Sequence, residues 1–179
     1  MGNIVYPEPK QLICGILLSQ DISKEKFLSL LQKELGVIED ISIEKNFDIF
    51  SDYYKNELGK DLKRFFISFK DLFDPKDLAE LKIKTNDIEN RLFDSPETGC
   101  RKVNLDPGYL DLARLVVAST KDASYRVYLK SGIYAQPMLR YMYGSFKPFE
   151  WTYTDYIDED FISFFDMVRI KYKQRSDKN

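Results

Sequence analysis

The apolar residues of the chain fall into short runs whose spacing predicts alternating strands and helices. Residues 12–19 (LICGILLS) form a continuous apolar run bounded by polar residues, which is typical of a central strand covered on both faces. Ser23 can cap the following segment, in which apolar residues recur at helical spacing up to Gly36, a residue suited to end a helix. The first two elements are therefore a strand and a helix.

Two further strands, a second helix and a fourth strand follow in the same half of the chain. Residues 38–50 carry alternating Ile and Phe, and residues 63–72 (KRFFISFKDL) predict a strand with one strongly buried face. Asp74-Pro75 has the residue types of a helix start, and apolar residues follow at helical intervals. Beyond a loop at residues 94–99 (DSPETG), residues 101–105 have strand character. This order predicts a ferredoxin-like βαββαβ arrangement.

The second half of the chain predicts one helix, two hairpins and a last helix. Asp106-Pro107 repeats the helix-start pattern, and residues 110–117 are apolar nearly all round, which predicts a buried helix. Residues 125–129, 133–143 and 146–153 then predict two β-hairpins, and the segment from Asp158 predicts an amphipathic C-terminal helix. The predicted fold class is α+β, with a mainly antiparallel sheet that starts in ferredoxin-like order.

The length and composition of the chain limit the number of domains and the cellular environment that we expect. A chain of 179 residues suits a single domain, and its net charge of -2 gives no global field toward nucleic acid or an anionic membrane. No apolar run approaches the roughly 20 residues of a membrane helix, and no signal-peptide pattern is present. Cys14 and Cys100 form neither a CxxC motif nor a disulfide framework, so we expect a reducing cytoplasm.

The residue types also exclude several chemistries. The chain has no histidine, which excludes Ser-His-Asp and Cys-His catalysis. It has neither a GxxxxGK[ST] loop nor a GxGxxG fingerprint. No cofactor is evident, although carboxylates could still hold a hard cation such as Mg²⁺, which needs only oxygen ligands.

The first predicted hairpin presents the main candidate surface, which we call the hairpin face. If Leu129 pairs with Ile133, strand alternation separates an apolar side, expected to meet the core, from a polar and aromatic side. The apolar side holds Tyr125, Val127, Leu129, Ile133 and Ala135, with Val127 opposite Ala135. The hairpin face holds Arg126, Tyr128, Tyr134 and Gln136 and, continued beyond a possible bulge at Pro137, also Arg140 and Trp151.

Two interpretations of the hairpin face remain open. Arginines among aromatic rings can bind an anionic, planar ligand through charge-assisted hydrogen bonds and stacking. The other interpretation is that the C-terminal helix covers this face with Phe161, Phe164 and Phe165, in which case its residues belong to the core.

Two shorter motifs supply further candidates. Asp106 stands at the predicted helix start, where main-chain amides can hold phosphate, with Mg²⁺ mediating, although plain helix capping explains the same residue. Lys121 could bind phosphate and Asp122 a metal or a ribose, although a solvated turn explains both.

The chain resembles the bacterial family catalogued as domain of unknown function 4416. The resemblance covers almost the whole length, in the blocks LICGILLS, FDIFSDYYKNELG, RFFISFKDL, IKTNDIE, VNLDPGYL, ARLVVASTKD, RVYLKSGIYAQ and WTYTDY. It implies a small bacterial, cytoplasmic protein. The family has no established activity, so the resemblance implies no catalytic residues.

Two hypotheses of function follow. In the first, the protein binds an anionic nucleotide-like or phosphorylated small molecule on the hairpin face, and any enzymatic activity would rely on carboxylates or tyrosines. In the second, it is a non-catalytic protein interaction module that uses the aromatic face or the C-terminal helix, because Tyr, Trp and Arg also dominate interface hot spots. Neither a nucleic-acid nor a membrane partner is expected.

Overall fold

A computed structural model describes residues 2–93 and 101–176. The described chain forms nine strands, four α-helices and three short 3₁₀ turns. The strands are β1 Lys10–Leu18, β2 Ile38–Ile41, β3 Lys45–Asn46, β4 Lys63–Phe73, β5 Val103–Leu110, β6 Arg114–Ser119, β7 Val127–Lys130, β8 Ile133–Met142 and β9 Ser145–Pro148. The helices are α1 Lys24–Leu35, α2 Lys55–Leu58, α3 Leu78–Phe93 and α4 Glu159–Ser176, and the 3₁₀ turns are Phe47–Ile49, Pro75–Asp77 and Thr154–Ile157.

All described strands join one antiparallel sheet in the order β2-β4-β1-β5-β6-β8-β7. Short β3 pairs with β4, and β9 pairs with β8. Strands β2, β4, β1 and β5, connected through α1 and α3, have the strand order of the ferredoxin-like split βαβ unit. The predicted α+β class and the ferredoxin-like start are therefore confirmed, and the second half of the chain widens the same sheet.

The helix boundaries follow from the predicted capping residues. Ser23 accepts a hydrogen bond from the Lys26 amide at the start of α1, and Gly36, with φ of 111°, follows its last turn. Asp74 accepts from the Lys76 amide, and Pro75 begins the 3₁₀ turn that leads into α3. The loop predicted at residues 94–99 lies outside the described residues.

The buried helix predicted over residues 110–117 is wrong. β5 continues through Pro107 to Leu110, and the chain turns at Asp111 and returns as β6. The Asp111 carboxylate accepts from the amides of Ala113 and Arg114, both at 2.8 Å, which fixes a tight turn. A short strand covered on both faces has the same uninterrupted apolar pattern as a buried helix, and periodicity cannot separate the two.

Helices cover both faces of the sheet. On one face, α1 and α3 pack on an apolar layer formed by Leu12, Cys14, Ile16 and Leu18 of β1 together with neighbouring strands. On the other face, the predicted phenylalanine stripe of α4 packs against Ile13, Phe66, Leu115 and Met138. No helix within residues 2–93 and 101–176 has the length and apolar character needed to cross a membrane.

Candidate functional site

Helix α4 covers only part of its sheet face, and a cleft opens beside it and extends to α3. The cleft lies beside the Phe47–Ile49 turn and the Thr154–Ile157 turn, which are linked where the Thr154 hydroxyl donates to the Phe50 carbonyl at 3.2 Å. It has two adjoining recesses that share the side chains of Tyr54, Asp106, Lys121 and Tyr153. The arginine recess, of about 460 Å³, holds Arg64, Arg126 and Asp155, and the asparagine recess, of about 260 Å³, holds Lys82, Asn86, Glu89, Asn90, Arg101 and Asn104.

Arg64 on β4 forms the floor of the arginine recess and is only 1% exposed. Its Nη1 lies 3.4 Å from Asp106 Oδ2, and its Nε lies 2.7 Å from Asp155 Oδ2, in a geometry that leaves the Nε hydrogen without a hydrogen-bond partner. The guanidinium also lies 4.4 Å from the ring centroid of Phe66 and 5.2 Å from that of Tyr156. A buried cation is thus held by two carboxylates and two rings.

Gly15 makes room for this arrangement on the adjacent strand β1. A Cβ atom at this position would lie 3.0 Å from Arg64 Nη2, from a ring carbon of Phe66 and from the hydroxyl of Tyr156. The glycine that interrupts the apolar run of β1 therefore provides the space in which the guanidinium lies.

Burial and charge act in opposite directions on the titratable groups of the arginine recess. Burial lowers the pKa of Arg64, but Asp155, Tyr156 and Asp106 outweigh it and hold the pKa above its ordinary value, so the guanidinium stays charged. Burial raises the pKa of the Asp155 carboxyl, and the attraction of Arg64 offsets this only in part. Burial also raises the pKa of Tyr54 and Tyr153.

Lys121 and Arg126 form the cationic rim of the arginine recess. Lys121 Nζ donates to the Tyr53 hydroxyl at 2.5 Å. Arg126 donates through Nε to Gln136 Oε1 at 2.7 Å, through Nη2 to the Tyr153 hydroxyl at 2.7 Å and through Nη1 to the Lys121 carbonyl at 2.6 Å. Gln136 is fully buried, so its hydrogen bond holds the side chain of Arg126 in place.

The asparagine recess contains a charged network whose members bind one another. Glu89 accepts from the Leu105 amide at 2.7 Å and from Arg101 Nη1 at 2.6 Å, while Lys82 Nζ donates to the Leu105 carbonyl at 2.6 Å. Burial raises the pKa of Glu89 despite these cations. Asn104 is 5% exposed, and its Nδ2 has no hydrogen-bond partner among the described residues.

The structure brings four of the sequence candidates together at the cleft. Arg126, Lys121 and Asp106 line it, and Gln136 supports Arg126. The structure pairs Val127 with Ala135, as predicted, and Tyr128 with Tyr134, but Ile133 pairs with Lys130 and not with Leu129, because the register shifts between Tyr128 and Lys130. The register also shifts opposite Pro137, as expected for a bulge.

The remaining hairpin candidates lie elsewhere. Tyr128 is 58% exposed and contacts Tyr134 edge-on, with ring centroids 5.4 Å apart. Trp151 is stacked between Tyr125 and Phe149, so both faces of its indole are occupied, and Arg140 lies over Phe149. These residues line neither recess.

The prediction that the apolar side of the hairpin meets the core is wrong for β7. Every residue of this strand is exposed, with Val127 at 63% and Leu129 at 38%, whereas Ile133 on β8 is buried. β7 is the last strand in the sheet order, so among the described strands it pairs with β8 alone.

The two acidic candidates for a metal site separate in the structure. Asp106 faces both recesses and pairs with Arg64, whereas Asp122 is exposed and lines neither recess. No group of three or more acidic or cysteine side chains suited to hold a metal ion occurs in residues 2–93 and 101–176.

Several cleft residues escaped the sequence analysis. The strand that contains Arg64 was expected to bury one face strongly, whereas β4 is buried on both faces from Arg64 to Phe69. Asp155 belongs to the WTYTDY block that carries the resemblance, and no local pattern marks it as a site residue. An arginine at the start of the run RFFISF, together with a glycine inside the apolar run of β1, is the signal that could have located the site.

Comparison with known proteins identifies the family. Residues 8–172 match the family described as "Domain of unknown function (DUF4416)", and the chain belongs to this family. Comparisons with curated proteins and with solved structures gave no match. Each of the sequence blocks quoted for the resemblance supplies at least one residue to the lining of the cleft.

Proposed function

We propose that this protein binds a phosphorylated or nucleotide-like anionic small molecule in the arginine recess. The observation that carries the proposal is a fully buried arginine, Arg64, at the floor of an open cleft with two more cations, Lys121 and Arg126, at its rim. Arginine presents a planar fork of donors that matches phosphate and carboxylate oxygens.

The charge balance of the cleft supports an anionic ligand. The arginine recess carries three cations, Arg64, Lys121 and Arg126, against two carboxylates, Asp106 and Asp155. A buried ion pair is costly to desolvate, so an arginine at this position needs a reason other than stability. A bound ligand that accepts hydrogen bonds from Arg64 would be such a reason.

The shape and the aromatic lining support the same class of ligand. A volume of about 460 Å³ lies within the usual range of small-molecule pockets. Tyr53, Tyr54 and Tyr153 border the recess, and such rings can pack against a sugar or a base. The proposed ligand site is therefore displaced from the hairpin face, because only Arg126 of that face reaches it and Gln136 acts through Arg126.

We further place the protein in the reducing cytoplasm of a bacterium, as the cysteine pattern and the family resemblance suggest. Cys14 supports this setting, because it is a buried free thiol. Asp106 is the carboxylate that could share a Mg²⁺ ion with a bound phosphate, so Mg²⁺ should strengthen phosphate binding.

A thermal-shift screen of inorganic phosphate, sugar phosphates and nucleotides, with and without Mg²⁺, tests the proposal. A ligand at 100 times its dissociation constant should stabilise the fold by about 2.7 kcal/mol. Arg126→Ala should abolish that gain, whereas Arg140→Ala, which removes an exposed arginine outside the cleft, should preserve it. Absence of any shift, or equal losses in both variants, would contradict the proposal.

A second candidate function is protein interaction through the sheet edge. β7 is an edge strand, and Val127, Tyr128 and Leu129 are all exposed on it. An exposed edge can accept a strand from another chain. If two copies pair in this way, sedimentation velocity should show a concentration-dependent dimer that Leu129→Lys removes. A monomer at every concentration would exclude self-pairing.

A further inference from the structure

We propose that the asparagine recess is a second subsite that binds a hydroxyl-rich group, so that the ligand is a phosphorylated polyol such as a sugar phosphate. This inference rests on the proposed function and narrows its ligand class. The phosphate occupies the arginine recess, and the hydroxyl-bearing carbon chain or ring extends into the asparagine recess.

The two recesses are close enough for one ligand to span them. Tyr54, Asp106, Lys121 and Tyr153 line both recesses, so these four side chains form the boundary that they share. Lys121 can therefore contact a phosphate from one side while Asp106 faces the group attached to it. The asparagine recess, at about 260 Å³, is the smaller of the two and suits a part of a ligand.

The lining of the asparagine recess has the chemistry of a hydroxyl-binding site. Its uncharged polar side chains come from Asn86, Asn90, Asn104, Ser119 and Thr120. Carboxamides and hydroxyls both donate and accept hydrogen bonds, as sugar hydroxyls do. The only rings in this lining are the two tyrosines at the shared wall, so the recess offers no aromatic sandwich for a base.

Asn104 provides an independent observation that points to a ligand. Its Nδ2 is a buried donor without a partner among the described residues, in a side chain that lines the recess. The neighbouring Lys82, Glu89 and Arg101 already bind main chain or one another, so they fix the surroundings of this donor. Buried donors are rarely left unpaired, and a ligand oxygen would satisfy this one.

Asp106 at the junction sets the direction in which the ligand lies. Unless a cation lies between them, its carboxylate repels a phosphate, whereas it accepts a hydrogen bond from a hydroxyl directly. The phosphate is therefore directed toward Lys121 and Arg126, and the hydroxyls toward Asp106 and Asn104. A phosphate ester of a polyol satisfies both requirements at once.

Calorimetric titration of the full chain with inorganic phosphate, ribose 5-phosphate and phenyl phosphate tests this inference. Ribose 5-phosphate should bind about tenfold more tightly than the other two probes. A tenfold difference in affinity is the size expected for one additional hydrogen bond to a buried donor. Asn104→Leu, which keeps the volume and removes the donor, should lower the affinity for ribose 5-phosphate about tenfold and leave inorganic phosphate unchanged. Arg126→Ala should weaken all three probes in the same proportion.

The outcomes separate the subsite from the proposed function. If phosphate binds but ribose 5-phosphate binds no more tightly, or if Asn104→Leu weakens every probe alike, the subsite is excluded and the anion site stands. If no probe binds, both proposals fail. Should Asn104→Leu not fold, Asn90→Ala on the exposed surface of α3 replaces it, with the same selective loss expected.

Discussion

The two faces of strand β1 carry different chemistry, although their residues alternate along a single run. Leu12, Cys14, Ile16 and Leu18 face α1 and α3 in a wholly apolar layer. Gly15, on the opposite face, lies against the guanidinium of Arg64 and the hydroxyl of Tyr156. One strand thus borders an ordinary core on one side and a charged cleft on the other.

The difference arises from what covers each face. Helix α4 seals its face only over Ile13, Phe66 and their neighbours, where its phenylalanines pack. Further along the face, irregular segments take the place of a helix, and polar groups of the sheet remain open to the cleft. The comparison indicates that the sheet provides a rigid floor and the incomplete cover makes the site.

Substitution of the buried arginine should give the largest effect on stability. Arg64→Leu leaves Asp106 and Asp155 without their cation and should lower the free energy of unfolding by about 3–5 kcal/mol, measured by urea denaturation. The double variant Arg64→Leu/Asp155→Asn should recover part of that loss. As a control, Arg114→Leu at an exposed position should stay within about 0.5 kcal/mol of the wild type. A small effect of Arg64→Leu would show that the two faces of β1 do not differ energetically.

Much of the fold was predictable because its signals are local. The caps at Ser23 and Asp74 and the phenylalanines of α4 each act within one or two helical turns. The exception was the segment around Asp111, where the apolar run is equally compatible with a buried helix and with a buried hairpin. Only pairing with β1 and β8 decides between them.

The cleft was not predictable in the same way, because it is assembled from distant segments. Arg64 pairs with Asp155, which lies on the turn that also bonds to Phe50. No local periodicity encodes contacts of that range. The hairpin register was predictable at Val127 but not at the turn, where Ile133 pairs with Lys130. Which side of the hairpin would be covered depended on the position of α4 and on β7 being an edge.

Addition of a methyl group at Gly15 should have the next largest effect. Gly15→Ala places a carbon against Arg64, Phe66 and Tyr156 and should cost about 1–3 kcal/mol of stability as an overpacking change. It should also weaken phosphate binding, because the guanidinium must move. The matched control is Cys14→Ala, one residue away on the apolar face, which should leave phosphate affinity unchanged. If Gly15→Ala bound phosphate as tightly as the wild type, Arg64 would not take part in the ligand site.

The pH dependence of stability tests the electrostatic side of the comparison. Burial raises the pKa of Asp155 above its usual value of 3.8, so the folded state holds this proton more tightly than the unfolded state does. The stability from this group is complete below about pH 3.8 and is lost as the pH rises through the raised pKa. The stability advantage of the wild type over Asp155→Asn should therefore shrink with rising pH, by about 1.4 kcal/mol for each pH unit by which the pKa is raised. An advantage that grows with pH would mean that Arg64 outweighs burial.

The smallest effect is expected at Tyr128, on the hairpin face that was the main candidate surface in the sequence. Its ring is largely exposed and contacts only Tyr134 among described aromatic residues, so Tyr128→Ser should change the free energy of unfolding by about 0.5–1 kcal/mol at most. Phosphate and ribose 5-phosphate should bind this variant as they bind the wild type, because Tyr128 lines neither recess. If Tyr128→Ser weakened binding as much as Arg126→Ala, the ligand would have to contact the hairpin face, because Tyr128 can affect affinity only if the ligand reaches strand β7.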